Sequence, residues 1–188
     1  MVVIAMIGLG IVVGWAVTIL ADYLPRFAVE PPADRQAARP RIPALWKLLT
    51  NQRGADFRLN LAAELITGIG FGLLAAVYGP TGDTAFLAAA FGFFLLVSVI
   101  DLKYRLVLNV MMYPAMILVG VYHVLTGTSL LHIALGGLLA FGVFYLTARL
   151  RPGDLGGGDV KLAALLGLVF GFPGILWALL VGTGLGAI

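Results

Sequence analysis

Long apolar runs separated by short polar connections dominate this chain. The runs do not alternate between apolar and polar positions as β-strands do. Most approach the roughly 20 residues that a helix needs to cross a bilayer, and a helix satisfies its own backbone hydrogen bonds in lipid. The pattern predicts an all-α polytopic membrane protein, a single domain over residues 1–188 with about six to seven transmembrane helices. The runs are 1–21, 61–78, 84–100, 107–125, 130–148, 160–170 and 172–188.

Composition supports a membrane protein and excludes several other classes. Hydrophobic residues make up 61% of the chain and charged residues 11%, against roughly 25% charged in soluble domains. The net charge of +3 is too small and too scattered to predict a nucleic-acid partner. The chain has no cysteine, which excludes disulfides, thiolate zinc sites and cysteine nucleophiles, and we predict no metal site.

The basic residues predict the orientation of the chain. All 12 lie in or beside every second connection, and the connections between them are neutral or acidic. The positive-inside rule then places the N-terminus outside and the basic connections, including the loop 22–60, in the cytoplasm. The last apolar run reaches residue 188 without a polar stop, which favours a fragment of a longer protein. The basic residues are Arg26, Arg35, Arg39, Arg41, Lys47, Arg53, Arg58, Lys103, Arg105, Arg149, Arg151 and Lys161.

Five ionisable residues within or at the ends of the apolar runs are functional candidates, because charge is costly there. They are Glu64, Asp101, His123, His132 and Asp159. For the two histidines, which fall towards the outer side, we expect packing or interfacial roles. Taken alone, Asp101 is better explained as a helix-end acid paired with Lys103 or Arg105 at the membrane interface.

Asp159 follows three consecutive glycines, 156–158. Two structural alternatives are a helix N-cap, which aspartate fills well, and a glycine-rich phosphate loop. The phosphate loop is the weaker alternative, because no strand or complete nucleotide motif accompanies it. Glycines also permit close approach of another chain, which suits a site where an extended peptide meets a carboxylate.

Two predicted spans separate Asp101 from Asp159, so both carboxyl groups are expected at the cytoplasmic side. Neighbouring carboxyls share a proton, which lets one activate water while the other polarises a peptide carbonyl. A proton-coupled transporter or channel subunit is the alternative, since paired intramembrane acids also serve proton relays. A catalytically silent scaffold is a third possibility.

Four segments together resemble the type IV prepilin peptidases, membrane aspartic proteases of the GxGD kind. Residues 156–159 read GGGD and are followed by Lys161 and Leu162, as in GxGDxKL. Residues 101–109, DLKYRLVLN, resemble the segment of the first family aspartate, with Leu108 in place of a proline. Residues 64–68, ELITG, and 41–45, RIPAL, resemble two further family segments.

The resemblance implies a GxGD protease-like bundle with Asp101 and Asp159 as the catalytic pair. Gly156 and Gly158 would let their loop approach the substrate. The supporting residues would be Lys103, Arg105, Lys161, Asn109 and Glu64. The three basic ones would tune the carboxylates, orient the loop or anchor the interface. Glu64 would pair with a basic loop residue, in a structural or methylation-related role.

The resemblance also implies the partners. The substrates would be prepilins or pseudopilins, cleaved at the cytoplasmic face of the inner membrane behind a short basic leader. The peptidase would need no cofactor. S-adenosylmethionine would be a cofactor only if N-methylation is retained. The resemblance leaves this open, because loop 22–60 lacks the cysteine pairs of the bifunctional relatives.

Overall fold

In a computed structural model, residues 1–25, 57–151 and 155–186 are described. These parts contain six helices and no strand. Five helices are long and apolar enough to cross a membrane, and α4 is a shorter apolar helix of 17 residues. The all-α polytopic membrane fold is therefore confirmed. The helices are α1 (Val2–Tyr23), α2 (Phe57–Tyr78), α3 (Gly82–Tyr104), α4 (Asn109–Leu125), α5 (Leu130–Leu150) and α6 (Gly157–Gly186).

The helix ends follow local chemistry more than hydropathy. Helix α3 begins behind Thr81, whose hydroxyl accepts the backbone N–H of Thr84 at 3.2 Å, and the Thr84 hydroxyl donates to the carbonyl of Gly79 at 2.6 Å. At its other end α3 stops because Arg105 adopts the left-handed conformation, with φ 52°. The chain then leaves the helix until Asn109 opens α4.

The last two predicted spans belong to one helical element, α6, with a break where the sequence separates them. Gly171 (φ 60°, ψ 178°) and Phe172 interrupt the helix. Ala163 before the break and Ile175 after it are buried in the same cluster around Ala140 of α5. A straight helix would hold these two residues about 18 Å apart. The two halves of α6 therefore do not continue along one axis.

The chain divides into two compact units, Met1–Leu106 and Val107–Ile188. The prediction of a single domain stays a prediction. In the first unit, α1 packs closely on α2 through Gly10 and Gly14. A Cβ on Gly14 would lie 2.6 Å from the Cα of Glu64, and one on Gly10 would lie 2.8 Å from the Cα of Gly68. Small residues of this kind let membrane helices approach closely.

Helices α5 and α6 make the corresponding close crossing in the second unit. A Cβ on Gly136 would lie 2.6 Å from the carbonyl carbon of Gly171, and one on Gly167 would lie 2.8 Å from the Cα of Gly137. Helix α4 also packs on α6. Helices α4 and α5 therefore both pack on α6, the helix whose first turn carries Asp159.

Candidate functional site

Asp101 lies in the last turn of α3 and is exposed. Its backbone carbonyl accepts the N–H of Arg105 at 2.7 Å, the bond that closes the helix. Arg105 is also exposed, and its left-handed conformation directs the chain out of the helix. The first candidate carboxylate is thus presented at a helix end, with its side chain accessible.

Lys103, two residues after Asp101, makes a contact within the first unit that the sequence pattern does not predict. Its Nζ lies 2.9 Å from Oδ1 of Asp22, near the end of α1, and the hydroxyl of Tyr104 donates to the same oxygen at 3.1 Å. The Lys103 side chain is only 10% exposed to solvent, and the Asp22 side chain only 14%. The C-terminal ends of α1 and α3 therefore meet at one end of the unit. This agrees with a chain that crosses the membrane twice, in α2 and α3, between these two points.

Asp22 is the residue that the sequence analysis missed. A signal for it was present, because an acid near the C-terminus of a helix opposes the helix dipole and needs a cationic partner. The sequence did not indicate which cation, since Lys103 lies 81 positions further along the chain.

Asp159 is the third residue of α6, and its side chain reaches back to the start of the helix. Its Oδ2 accepts the backbone N–H of Gly156 at 3.1 Å, while its own N–H donates to the Gly156 carbonyl at 3.1 Å. The carboxylate thus makes the acid's half of a capping box from the third helical position, while the other bond is a backbone turn, because Gly156 has no side chain. The alternative that made Asp159 itself the N-cap is wrong, because Gly156 precedes the first helical residue.

The glycines before Asp159 differ in what surrounds them. A Cβ on Gly158 would lie 2.5 Å from Cβ of Val107, the residue two before α4. A Cβ on Gly157 would meet nothing within 4 Å, and one on Gly156 would make only ordinary contact with Asp159 at 3.4 Å. Gly158 is therefore required by packing within the second unit, and the first two positions are open.

Lys161 ties the first turn of α6 to the start of α4. Its Nζ donates to Oδ1 of Asn109 at 2.7 Å and lies 5.2 Å from the centre of the Tyr113 ring. Lys161 is half-buried and Asn109 is exposed. Two motif residues predicted to support the site are thus brought together.

Glu64 is half-buried in α2, where its backbone packs against Gly14 and its carbonyl accepts the hydroxyl of Thr67 at 3.2 Å. The basic residues predicted as its partners between positions 26 and 56, and the RIPAL segment, lie outside the described residues. The pairing of Glu64 with a loop residue stays a prediction.

The two histidines lie on α4 and α5. His123 is 8% exposed at the end of α4, with its ring edge-on to Tyr122 at 5.5 Å, and His132 is exposed on α5. In residues 1–25, 57–151 and 155–186, no three His, Asp or Glu side chains form a group able to hold a metal ion.

One comparison with known proteins identifies the family to which the chain belongs. A family model, described as the type IV leader peptidase family, matches residues 88–188. This segment contains both candidate aspartates and also Asn109 and Lys161. Searches of curated proteins and of solved structures gave no match. The matched segment covers more than half of the chain. The chain therefore belongs to the type IV leader peptidase family and is a membrane-embedded member of this peptidase family.

Proposed function

We propose that this protein is an aspartic endopeptidase of the inner membrane, with Asp101 and Asp159 as its catalytic pair. It removes short basic leaders from prepilin or pseudopilin precursors at the cytoplasmic face. The observation that carries the proposal is the family match over residues 88–188, which spans both the Asp101 segment and the GGGD motif.

The contacts around the two aspartates support a role in chemistry rather than in packing. Asp101 is exposed in the last turn of α3. Asp159 is half-buried, and the one hydrogen bond described for its side chain is to Gly156, which leaves acceptor capacity on the carboxylate. Within the second unit, Asn109 binds Lys161, two positions after Asp159 in the motif.

The chemistry needs one ionised and one protonated carboxyl group. The ionised group removes a proton from water, whose oxygen attacks the peptide carbon, while the protonated group polarises the carbonyl oxygen. The resulting tetrahedral intermediate collapses by breaking the C–N bond, and the leaving amine takes up a proton. Two carboxyls that share one proton provide both states at once.

The distribution of charge supports the proposed face and substrate. All 12 lysines and arginines lie in the connections assigned to the cytoplasm or in the helix ends beside them. A substrate with a basic leader and an apolar helix would place its cleavage site at that same boundary. The leader stays in the cytoplasm by the same rule, while the helix lies in the bilayer.

The test is cleavage of a synthetic prepilin segment, with a basic leader, a glycine before the cleavage site and an apolar helix, by the purified full chain in liposomes. We expect cleavage by the wild type and loss of it in Asp101→Asn and in Asp159→Asn. Asparagine is chosen because its side-chain oxygen still accepts the N–H of Gly156, so the helix start is retained while the acid is removed.

Asp83→Asn is the matched control, since Asp83 is an exposed acid in the first turn of α3, at the other end of that helix from Asp101. Its cleavage rate should equal that of the wild type. With S-adenosylmethionine added, the mass of the new N-terminus reports methylation in the same reaction. A different result would favour a transporter. In that case the wild type would conduct protons across the liposome membrane without cleaving the substrate, and either asparagine variant would lose the proton flux.

A further inference from the structure

The last turn of α3 has one open side and one side held against α1. Asp101 is exposed, whereas Lys103 keeps 10% of its exposure and lies 2.9 Å from Asp22. Residues two apart on a helix point to different sides. The lysine side of the turn is therefore fixed to a neighbouring helix, while the aspartate side is accessible.

The contact with Asp22 is less exposed than a typical surface ion pair and carries an additional hydrogen bond. The carboxylate receives both the ammonium of Lys103 and, at 3.1 Å, the hydroxyl of Tyr104, and it keeps only 14% of its exposure. A carboxylate removed from water in this way is stable only when it is paired and hydrogen-bonded. Lys103 also offsets the unfavourable position of an acid near the C-terminus of α1.

The end of α3 depends on such a contact. The helix ends at Tyr104, and Arg105 is its C-cap. The turn that carries Asp101 is therefore preceded by helix but not followed by it. Terminal turns of this kind fray unless side chains hold them. Lys103 and Tyr104 belong to this turn, and both bind the same oxygen of α1.

We infer that Asp22 is a positioning residue for the peptidase: through Lys103 and Tyr104 it holds the last turn of α3 so that Asp101 is presented in a single orientation. This inference rests on the proposed function, in which Asp101 is catalytic. Asp22 itself takes no part in the proton transfers.

Steady-state kinetics on the prepilin segment test the inference. Asp22→Asn should lower kcat by about tenfold to a hundredfold, with KM within about twofold, because a displaced catalytic group slows chemistry more than binding. Reversing the pair with Asp22→Lys and Lys103→Asp together should recover most of kcat. Tyr104→Phe should lower kcat less than Asp22→Asn, and the control Asp83→Asn should not change it.

A second measurement does not depend on activity. The chain has no cysteine, so Leu102→Cys, at a position 73% exposed next to Asp101, can carry a single nitroxide label. The label should become more mobile when Asp22→Asn is added and return to the original mobility in the reversed pair. Asp83→Asn should leave its spectrum unchanged.

Each outcome decides the inference. Unchanged kcat and label mobility in Asp22→Asn would overturn it, as would a lower yield of folded enzyme with normal kcat per folded molecule. If Asp22→Asn does not accumulate in the membrane, unchanged kcat and mobility in Tyr104→Phe overturn it equally. If Asp101→Asn still cleaves, the proposed function fails, while the label measurement still tests the positioning by Asp22.

Discussion

At the scale of single residues, the three glycines of the GGGD motif differ in what they contact. Gly158 permits contact with Val107, Gly156 provides the backbone groups that bind Asp159, and Gly157 contacts nothing within 4 Å of an added Cβ. The sequence alone indicated that the glycines permit close approach, but not which one needed it. That depended on Val107, which is distant in the chain.

Gly158→Ala should therefore destabilise the protein by about 1–3 kcal/mol, because the added methyl group overlaps Val107. Gly157→Ala is the matched control and should be neutral or slightly stabilising, since alanine favours the helix. Thermal unfolding in detergent measures both. Val107→Gly should remove most of the penalty of Gly158→Ala, and equal stability of the two alanine variants would contradict the packing described.

At the scale of helices, hydropathy predicted where the elements lie and missed some of their ends. Helix α2 begins at Phe57, four positions before the apolar run, because Arg58 and Asn60 continue the helix although they are polar. Helix α4 begins at Asn109, after an extended Leu108. The break at Gly171 coincides with the gap between the predicted runs 160–170 and 172–188, whereas the packing of both halves of α6 around Ala140 was not predicted.

The contact between α4 and α6 provides a prediction at this scale. Lys161→Met and Asn109→Ala remove the two partners of one hydrogen bond, and their effects on unfolding should couple by about 1 kcal/mol. Cleavage should fall in both variants, because the bond steadies the turn that carries Asp159. Arg149→Met is the control, since the described contacts of Arg149 are with Tyr145 in its own helix. Additive effects of Lys161→Met and Asn109→Ala would show that the bond contributes little.

At the scale of the whole molecule, the sequence indicated the class of protein and its family. Low charge and long apolar runs can be recognised without coordinates, and the two aspartate motifs carried the resemblance that the family match confirms. Specific partners could not be predicted in the same way. Asp22 and Lys103, or Lys161 and Asn109, are chosen by the packing of helices that are distant in sequence.

The orientation of the chain in the membrane is open to direct measurement. In the cysteine-free chain, Thr128→Cys, in the short connection between α4 and α5, should react with an impermeant maleimide added outside intact cells. Leu106→Cys, just beyond α3, should react only in inverted vesicles. Both positions are exposed. Labelling from the opposite sides would reverse the predicted topology and remove the proposed active site from the cytoplasmic face.

The central claim is that Asp101 and Asp159 act as one catalytic pair. Its most direct test is the mass of the products when the wild type, Asp101→Asn, Asp159→Asn and Asp83→Asn act on the same prepilin segment in liposomes. We predict leader and mature fragments from the wild type and Asp83→Asn, and intact substrate alone from Asp101→Asn and Asp159→Asn. Normal cleavage by either Asp101→Asn or Asp159→Asn, inserted in the membrane, would contradict the claim.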